Sequence, residues 1–166
     1  METGEPDTPE VDIPQFKAAL GSFATGVTVT TTLAPDGPHG ATVSAVMSVS
    51  LVPPLVLVSI QTGSRMDSVL KCSDNFALSM LSAEQREVAE HFANSSRFHD
   101  ARAFALFPSH RARTGAPLLD GALAHVDCRM VDTRRAGDHT LFVGRALYVH
   151  STMSGRPLVY FRGALS

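Results

Sequence analysis

Residues 40–60, GATVSAVMSVSLVPPLVLVSI, limit the choice of fold more than any other stretch of this chain. The first half is built of small and hydroxylated residues, Ala41, Thr42, Ser44, Ala45, Ser48 and Ser50. Such residues let a flat ligand come close to backbone N–H and C=O groups. Pro53-Pro54 then closes the polar half, because neither proline donates a ladder hydrogen bond, and residues 55–60 continue as an aliphatic strand with a buried pattern. Behind the strand comes the polar turn Gln61-Thr62-Gly63-Ser64-Arg65. Ser64 is placed to cap a short helix, with Asp67 three residues on and Met66, Val69 and Leu70 along one side.

The rest of the chain supplies partners for that strand. Asp12 is an N-cap candidate with Pro14 in the first turn, and Phe16, Ala19, Leu20 and Phe23 share one helical face. Residues 27–32 are rich in β-branched side chains and end at Pro35-Asp36-Gly37-Pro38, which predicts a hairpin with the stretch around residues 41–50. Residues 76–81 read as another strand. Ser82-Ala83-Glu84-Gln85 has the capping-box spacing and opens a helix through Val88, Ala89 and Phe92 to Asn94. Residues 94–108 mix charges with aromatics and read as a partly exposed connection. Ala124, Val126, Cys128 and Met130 alternate with His125, Asp127 and Arg129, predicting one buried and one polar face. A turn around residues 136–139 leads into a strand over 141–149, and residues 157–161 supply a last one. Many short strands with a few helices between them predict a mainly β barrel with α elements.

A chain of 166 residues, 44% hydrophobic, suits one domain, placed here at residues 12–166. Residues 1–11 are expected to be a disordered tail, since METGEPDTPE carries four acids and no base. A net charge of −2 offers no footprint for nucleic acid. With no apolar run of membrane-spanning length and an acidic start unlike a signal peptide, the expected location is the cytoplasm and no membrane partner is expected. Cys72 and Cys128 stand apart and read as two buried, inert thiols of a reducing compartment. The seven histidines show no metal-ligand spacing. Gly21 to Gly26 has phosphate-loop glycine spacing, but Val27 stands in place of the lysine, and no G-x-G-x-x-G follows a strand.

Thr42-Val43-Ser44-Ala45, Ser48-Val49-Ser50, Pro53-Pro54-Leu55 and Gly137-Asp138-His139-Thr140 resemble, in this order, the motifs of the flavin reductase-like family. That family includes the small reductases that supply reduced flavin to two-component monooxygenases. The resemblance runs from about residue 16 to residue 162. It implies a split β-barrel, the flavin reductase-like FMN-binding fold, and a homodimer. It also implies an NAD(P)H:flavin oxidoreductase that reduces FMN or FAD with NADH or NADPH and releases reduced flavin to a partner monooxygenase.

Carried over residue by residue, it places Thr42, Val43, Ser44, Ala45, Ser48 and Ser50 along the polar edge of the flavin ring. Ala45 and Val52 depart from it, standing where relatives often have a polar residue and an acid. Thr62, Gly63, Ser64 and Arg65 fall at the flavin phosphate, where a helix start, hydroxyls and a guanidinium fork all favour an anion. His139 falls at the nicotinamide nucleotide, as the residue of the hydride-transfer site, with Arg97 and Phe98 as a covering loop. Each has a plainer alternative: a capped helix with a solvated arginine, a small-residue strand packed on a neighbour, a structural turn histidine, a hydrophobic anchor. Two other functions stay open, a split-barrel flavoprotein that retains its flavin and acts on an organic substrate, and a non-enzymatic flavin-binding protein. Hydride transfer between cofactors needs no general base or covalent nucleophile, which fits a sequence without a triad or acid pair.

Overall fold

The computed structural model describes residues 11–166. The expected tail over residues 1–11 lies outside them, apart from the exposed Val11. Helix α1 (Ile13–Gly21) starts where the Asp12 carboxylate accepts the Gln15 N–H at 3.3 Å, with Pro14 in its first turn. Strand β1 (Thr25–Gly26) leads to β2 (Thr28–Ala34), which turns at Pro35-Asp36 into β3 (Gly37–Val43). Then come β4 (Val46–Leu51), β5 (Pro54–Gln61), α2 (Arg65–Lys71) and β6 (Asn75–Met80). A 3₁₀ turn over Ala83–Gln85 runs into α3 (Arg86–Ala93), with the Ser82 N–H donating to Gln85 Oε1 at 3.1 Å. Residues 94–108 contain α4 (Ala101–Leu106). The chain closes with β7 (Ser109–Arg111), β8 (Pro117–Leu119), β9 (Ala124–Ala136), β10 (His139–Ser151), β11 (Val159–Phe161) and β12 (Ala164–Leu165).

The main sheet has seven strands in the order β3-β2-β6-β9-β10-β5-β4. Its outermost strands, β3 and β4, are joined only by Ser44-Ala45. In a flat sheet six inter-strand spacings would hold those edges about 30 Å apart, whereas the link from Val43 to Val46 reaches about 10 Å. The sheet therefore curls until its edges meet at residues 44–45, and the fold is a split barrel with a seam. The Ser59 N–H donates to the Ala45 carbonyl at 3.0 Å and ties the seam to β5.

The expected hairpin partner of β2 is corrected by this topology. The turn at Pro35-Asp36 sets a register that pairs Ala34 with Gly37 and Thr28 with Val43, so β2 is fully matched by residues 37–43. Residues 46–51 pair with β5 at the opposite edge. Inside the curl, Val58, Ile60, Met66, Leu70, Phe76, Leu78, Cys128 and Phe142 form one core. A second core joins Val27 and Val29 to Ala89 and Phe92 of α3 and to Leu81, Leu119 and Leu158.

Three more expectations change. β5 is buried at Val58 and Ile60 alone and half-buried from Leu55 to Leu57, because it lies next to the edge strand. The supposedly polar face of β9 is buried at two of its three positions, Arg129 alone being exposed: His125 and Asp127 are enclosed by the β7–β8 hairpin, which they bind through its backbone. Cys72 is exposed at the end of α2; only Cys128 is buried, and burial pushes its thiol up to about 12. Phe16 and Leu20 of α1 and Phe23 just beyond its end are exposed. Among the described residues no helix is long and apolar enough to cross a membrane.

Candidate functional site

The seam opens into a pocket of about 500 Å³. One wall is the backbone and small side chains of residues 41–45, and another is Ser59, Ile60 and Gln61 at the end of β5. Ser64, Arg65 and Met66 at the start of α2 close one side, His139 stands at the β9–β10 turn, Ala93 ends α3, and Ser95, Arg97 and His99 follow it. Among the described residues the lining includes two guanidinium groups, those of Arg65 and Arg97, and no carboxylate. A pocket with this charge favours an anionic ligand, and its small-residue wall suits a planar one.

Local hydrogen bonds decide what each side chain can offer. The Thr42 hydroxyl donates to the Ala89 carbonyl at 2.7 Å, so it fastens β3 to α3 and leaves the pocket mainly its backbone. Ser64 caps α2 by accepting the Asp67 N–H at 3.2 Å, which leaves its own hydroxyl proton free to donate. Behind the turn, buried Asp67 accepts from the Gly63 N–H at 2.9 Å and from Lys71 at 2.8 Å. Burial works to raise the Asp67 pKa, but the bonds from Lys71 and Gly63 outweigh it and hold the carboxyl below its usual range. Thr62 pairs with Thr140 at 2.9 Å, and neither Thr62 nor Gly63 lines the pocket.

The loop beyond α3 is fastened at several points. His91 Nε2 lies 2.8 Å from the Phe98 carbonyl, His99 Nε2 lies 2.9 Å from that of Asn94, and the Gly40 N–H donates to the His99 carbonyl at 3.0 Å. Arg97 thereby faces the pocket, whereas Phe98 lies outside the lining with the Arg102 guanidinium 3.6 Å over its ring. Gly137, at φ +60°, makes the tight turn that sets His139 at the pocket mouth, where His139 Nδ1 meets the Asp138 carboxylate at 2.8 Å. That bond holds the Asp138 carboxyl below its usual range.

Of the residues singled out in the sequence, Thr42, Val43, Ser44, Ala45, Ser64, Arg65, Arg97 and His139 come together around this pocket. Ser48 and Ser50 stand on β4 away from it, as Thr62, Gly63 and Phe98 also do. Sequence reasoning missed His39, Ser59, Gln61 and His99 in the lining. Strand alternation was the available signal for the first three: His39, Ala41 and Val43 share one face of β3, and Ser59 and Gln61 share one of β5.

Residues 20–166 match the flavin reductase like domain. This chain belongs to the flavin reductase-like family. It is 43% identical over 164 residues to an NADH-dependent flavin reductase of Rhodococcus, covering 97% of this chain and 89% of that protein. It is 33% identical to the reductase subunit HsaB of a flavin-dependent monooxygenase from Rhodococcus jostii, over 92% and 76% of the two chains. The crystal structure of BorF, the flavin reductase component of a bacterial two-component tryptophan halogenase, superposes with a TM-score of 0.87 at 40% identity, covering 93% of this chain and 97% of that one. The flavin reductase-like fold read from the motifs is therefore the fold of the molecule.

Proposed function

We propose that this protein is an NADH-dependent flavin reductase that binds FMN or FAD at the seam and releases reduced flavin to a partner monooxygenase. The observation that carries the reading is the small-walled pocket with its two guanidinium groups, assembled from the motif residues at residues 42–45, 64–65 and 139. Its residues fit a flavin nucleotide: the backbone of residues 43–45 would hold the ring's polar edge, and the Ser64 hydroxyl and Arg65 guanidinium would hold the phosphate. When bound, the flavin supplies an acceptor for the nicotinamide hydride. The protein's share is orientation. His139, with Nδ1 held by Asp138, keeps Nε2 for the carboxamide or phosphate of the incoming dinucleotide at the open mouth. A cytoplasmic setting, where NADH is continually regenerated, suits this role.

The deciding experiment is steady-state oxidation of NADH and NADPH with FMN, FAD and riboflavin in excess over enzyme. Multiple turnovers with free flavin are expected, faster with NADH. A single turnover would show a retained prosthetic group, and none a carrier. His139→Ala is expected to raise the KM for NADH about 5- to 30-fold, the loss of one hydrogen bond, and to leave the flavin Kd unchanged. If flavin binding fails instead, with the fold intact by circular dichroism, His139 belongs to the flavin subsite; if neither constant moves, it is a turn residue.

The same reading includes a homodimer. Edge strand β4 exposes Met47 and Val49, and Leu51 and Val52 at its tip are 84% and 93% exposed. Leu147 and Val149 of β10 and Phe16 and Leu20 of α1 are exposed apolar residues too, and an apolar edge of this kind is what a second copy would cover. Light scattering should give a mass twice the 17.7 kDa of the chain. A mass of one chain at micromolar concentration would overturn the dimer.

A further inference from the structure

His39 is 3% exposed in the pocket wall, yet its Nε2 has no hydrogen-bond partner among the described residues. A buried polar atom without a partner costs about 1–3 kcal/mol, so one that persists beside a pocket needs a reason. The nearby histidines have theirs: His91 and His99 each meet a loop carbonyl. His99 packs against His39 with ring centroids 5.9 Å apart and turns its Nε2 to Asn94.

We propose that His39 is a binding residue for the phosphoryl group of the flavin nucleotide, donating its unpartnered Nε2–H to a phosphoryl oxygen beside the Arg65 guanidinium. The assignment rests on the flavin reading of the pocket. The charged and titratable groups acting on His39 are Arg65, His99, Asp36 and Asp100. Burial first, then the positive field of Arg65 and His99, push its pKa down to about 4, so at neutral pH the imidazole is uncharged. A neutral donor adds a bond to an anion without setting a second cation against Arg65 while the pocket is empty. FMN and FAD both carry the phosphoryl group and riboflavin does not, so the contact discriminates by class.

The test measures Kd for FMN and for riboflavin, by flavin fluorescence, with the unaltered protein and its His39→Leu, His39→Gln and Arg65→Ala variants. Leucine fills the same space without a ring nitrogen, so the fold is expected to persist. For His39→Leu the FMN Kd should rise about 10- to 150-fold, the weight of one hydrogen bond to a charged acceptor, with riboflavin within about twofold. His39→Gln keeps an N–H and should recover most of the loss, and Arg65→Ala should repeat the selectivity for FMN. The ratio of FMN Kd between His39→Leu and the unaltered protein should stay constant from pH 7.5 to 5.5. A ratio that climbs as the pH falls means a protonating imidazole and overturns the neutral donor. Equal losses for both flavins, or none for either, overturn the phosphoryl contact and leave His39 a wall residue. An unaltered protein that binds neither flavin overturns the flavin reading itself, and this assignment with it.

Discussion

Gly144→Ala is expected to lower the unfolding free energy by about 3 kcal/mol or more, as overpacking of a filled core does. Gly144 lies on β10 between Val56 of β5 and Met130 of β9. A Cβ there would stand 2.5 Å from two carbons of the Phe76 ring and 2.7 Å from Cys128 Cβ. Neither neighbour has room to give way, because Phe76 and Cys128 are both fully buried. Gly26→Ala is the control, since nothing lies within 4 Å of its added carbon. Urea unfolding measures both variants. A Gly144→Ala loss below about 1 kcal/mol, small beside the usual cost of overpacking, would mean that Phe76 does not pack across β10 as described.

Asp127→Ala is the second large effect, about 3–5 kcal/mol, because it removes three hydrogen bonds to a buried carboxylate at once. The Asp127 carboxylate is fully buried and accepts the N–H groups of Arg113 and Thr114 at 2.7 and 2.9 Å, with the Thr114 hydroxyl as a third donor. Thr114→Val removes one of the three donors, and with it the bond its hydroxyl accepts from the Ala116 N–H, and should cost about 1–2 kcal/mol. Thermal or urea unfolding reads the difference. Equal small losses in the two variants would show that the 113–114 loop does not depend on the carboxylate.

Asp127 also shows where the sequence misleads. Period-two alternation in residues 124–130 is real, but it reports chemistry and not exposure. Asp127 and His125 look like a solvated face, and so do Thr31 and Ser79 on neighbouring strands. All of these instead bind the backbone of the short β7–β8 ribbon: Thr31 to the Pro117 carbonyl, Ser79 to the Leu119 N–H, and His125 to the Leu119 carbonyl. That ribbon has too few residues for a pattern of its own, so its presence over the sheet left no local trace. Helices α2 and α3 were legible because their caps are local, Ser64 and Asp67 for one, Ser82 and Gln85 for the other. The small-residue wall and the β9–β10 turn of the candidate site were legible for a similar reason: their motifs are contiguous. Ser59, Gln61 and His39 reach the pocket only after the sheet curls, and no window of sequence contains that curl. Phe98 and Thr62 failed to reach it because tertiary partners, Arg102 and Thr140, hold them elsewhere.

The two-residue link across the seam also sets an order of events during synthesis. The hairpins over residues 28–43 and 46–61 are made early, yet in the sheet they hang at opposite ends. Only β6, β9 and β10 connect them, and β10 pairs with β5 across more than seventy residues of sequence. Such non-local pairings form late, after the entropy of closing a long loop has been overcome. A chain that has not yet added β10 therefore carries the two walls of the pocket as separate hairpins. On the flavin reading of the pocket, binding has to wait until β10 has paired with β5, so the ligand would meet a finished barrel.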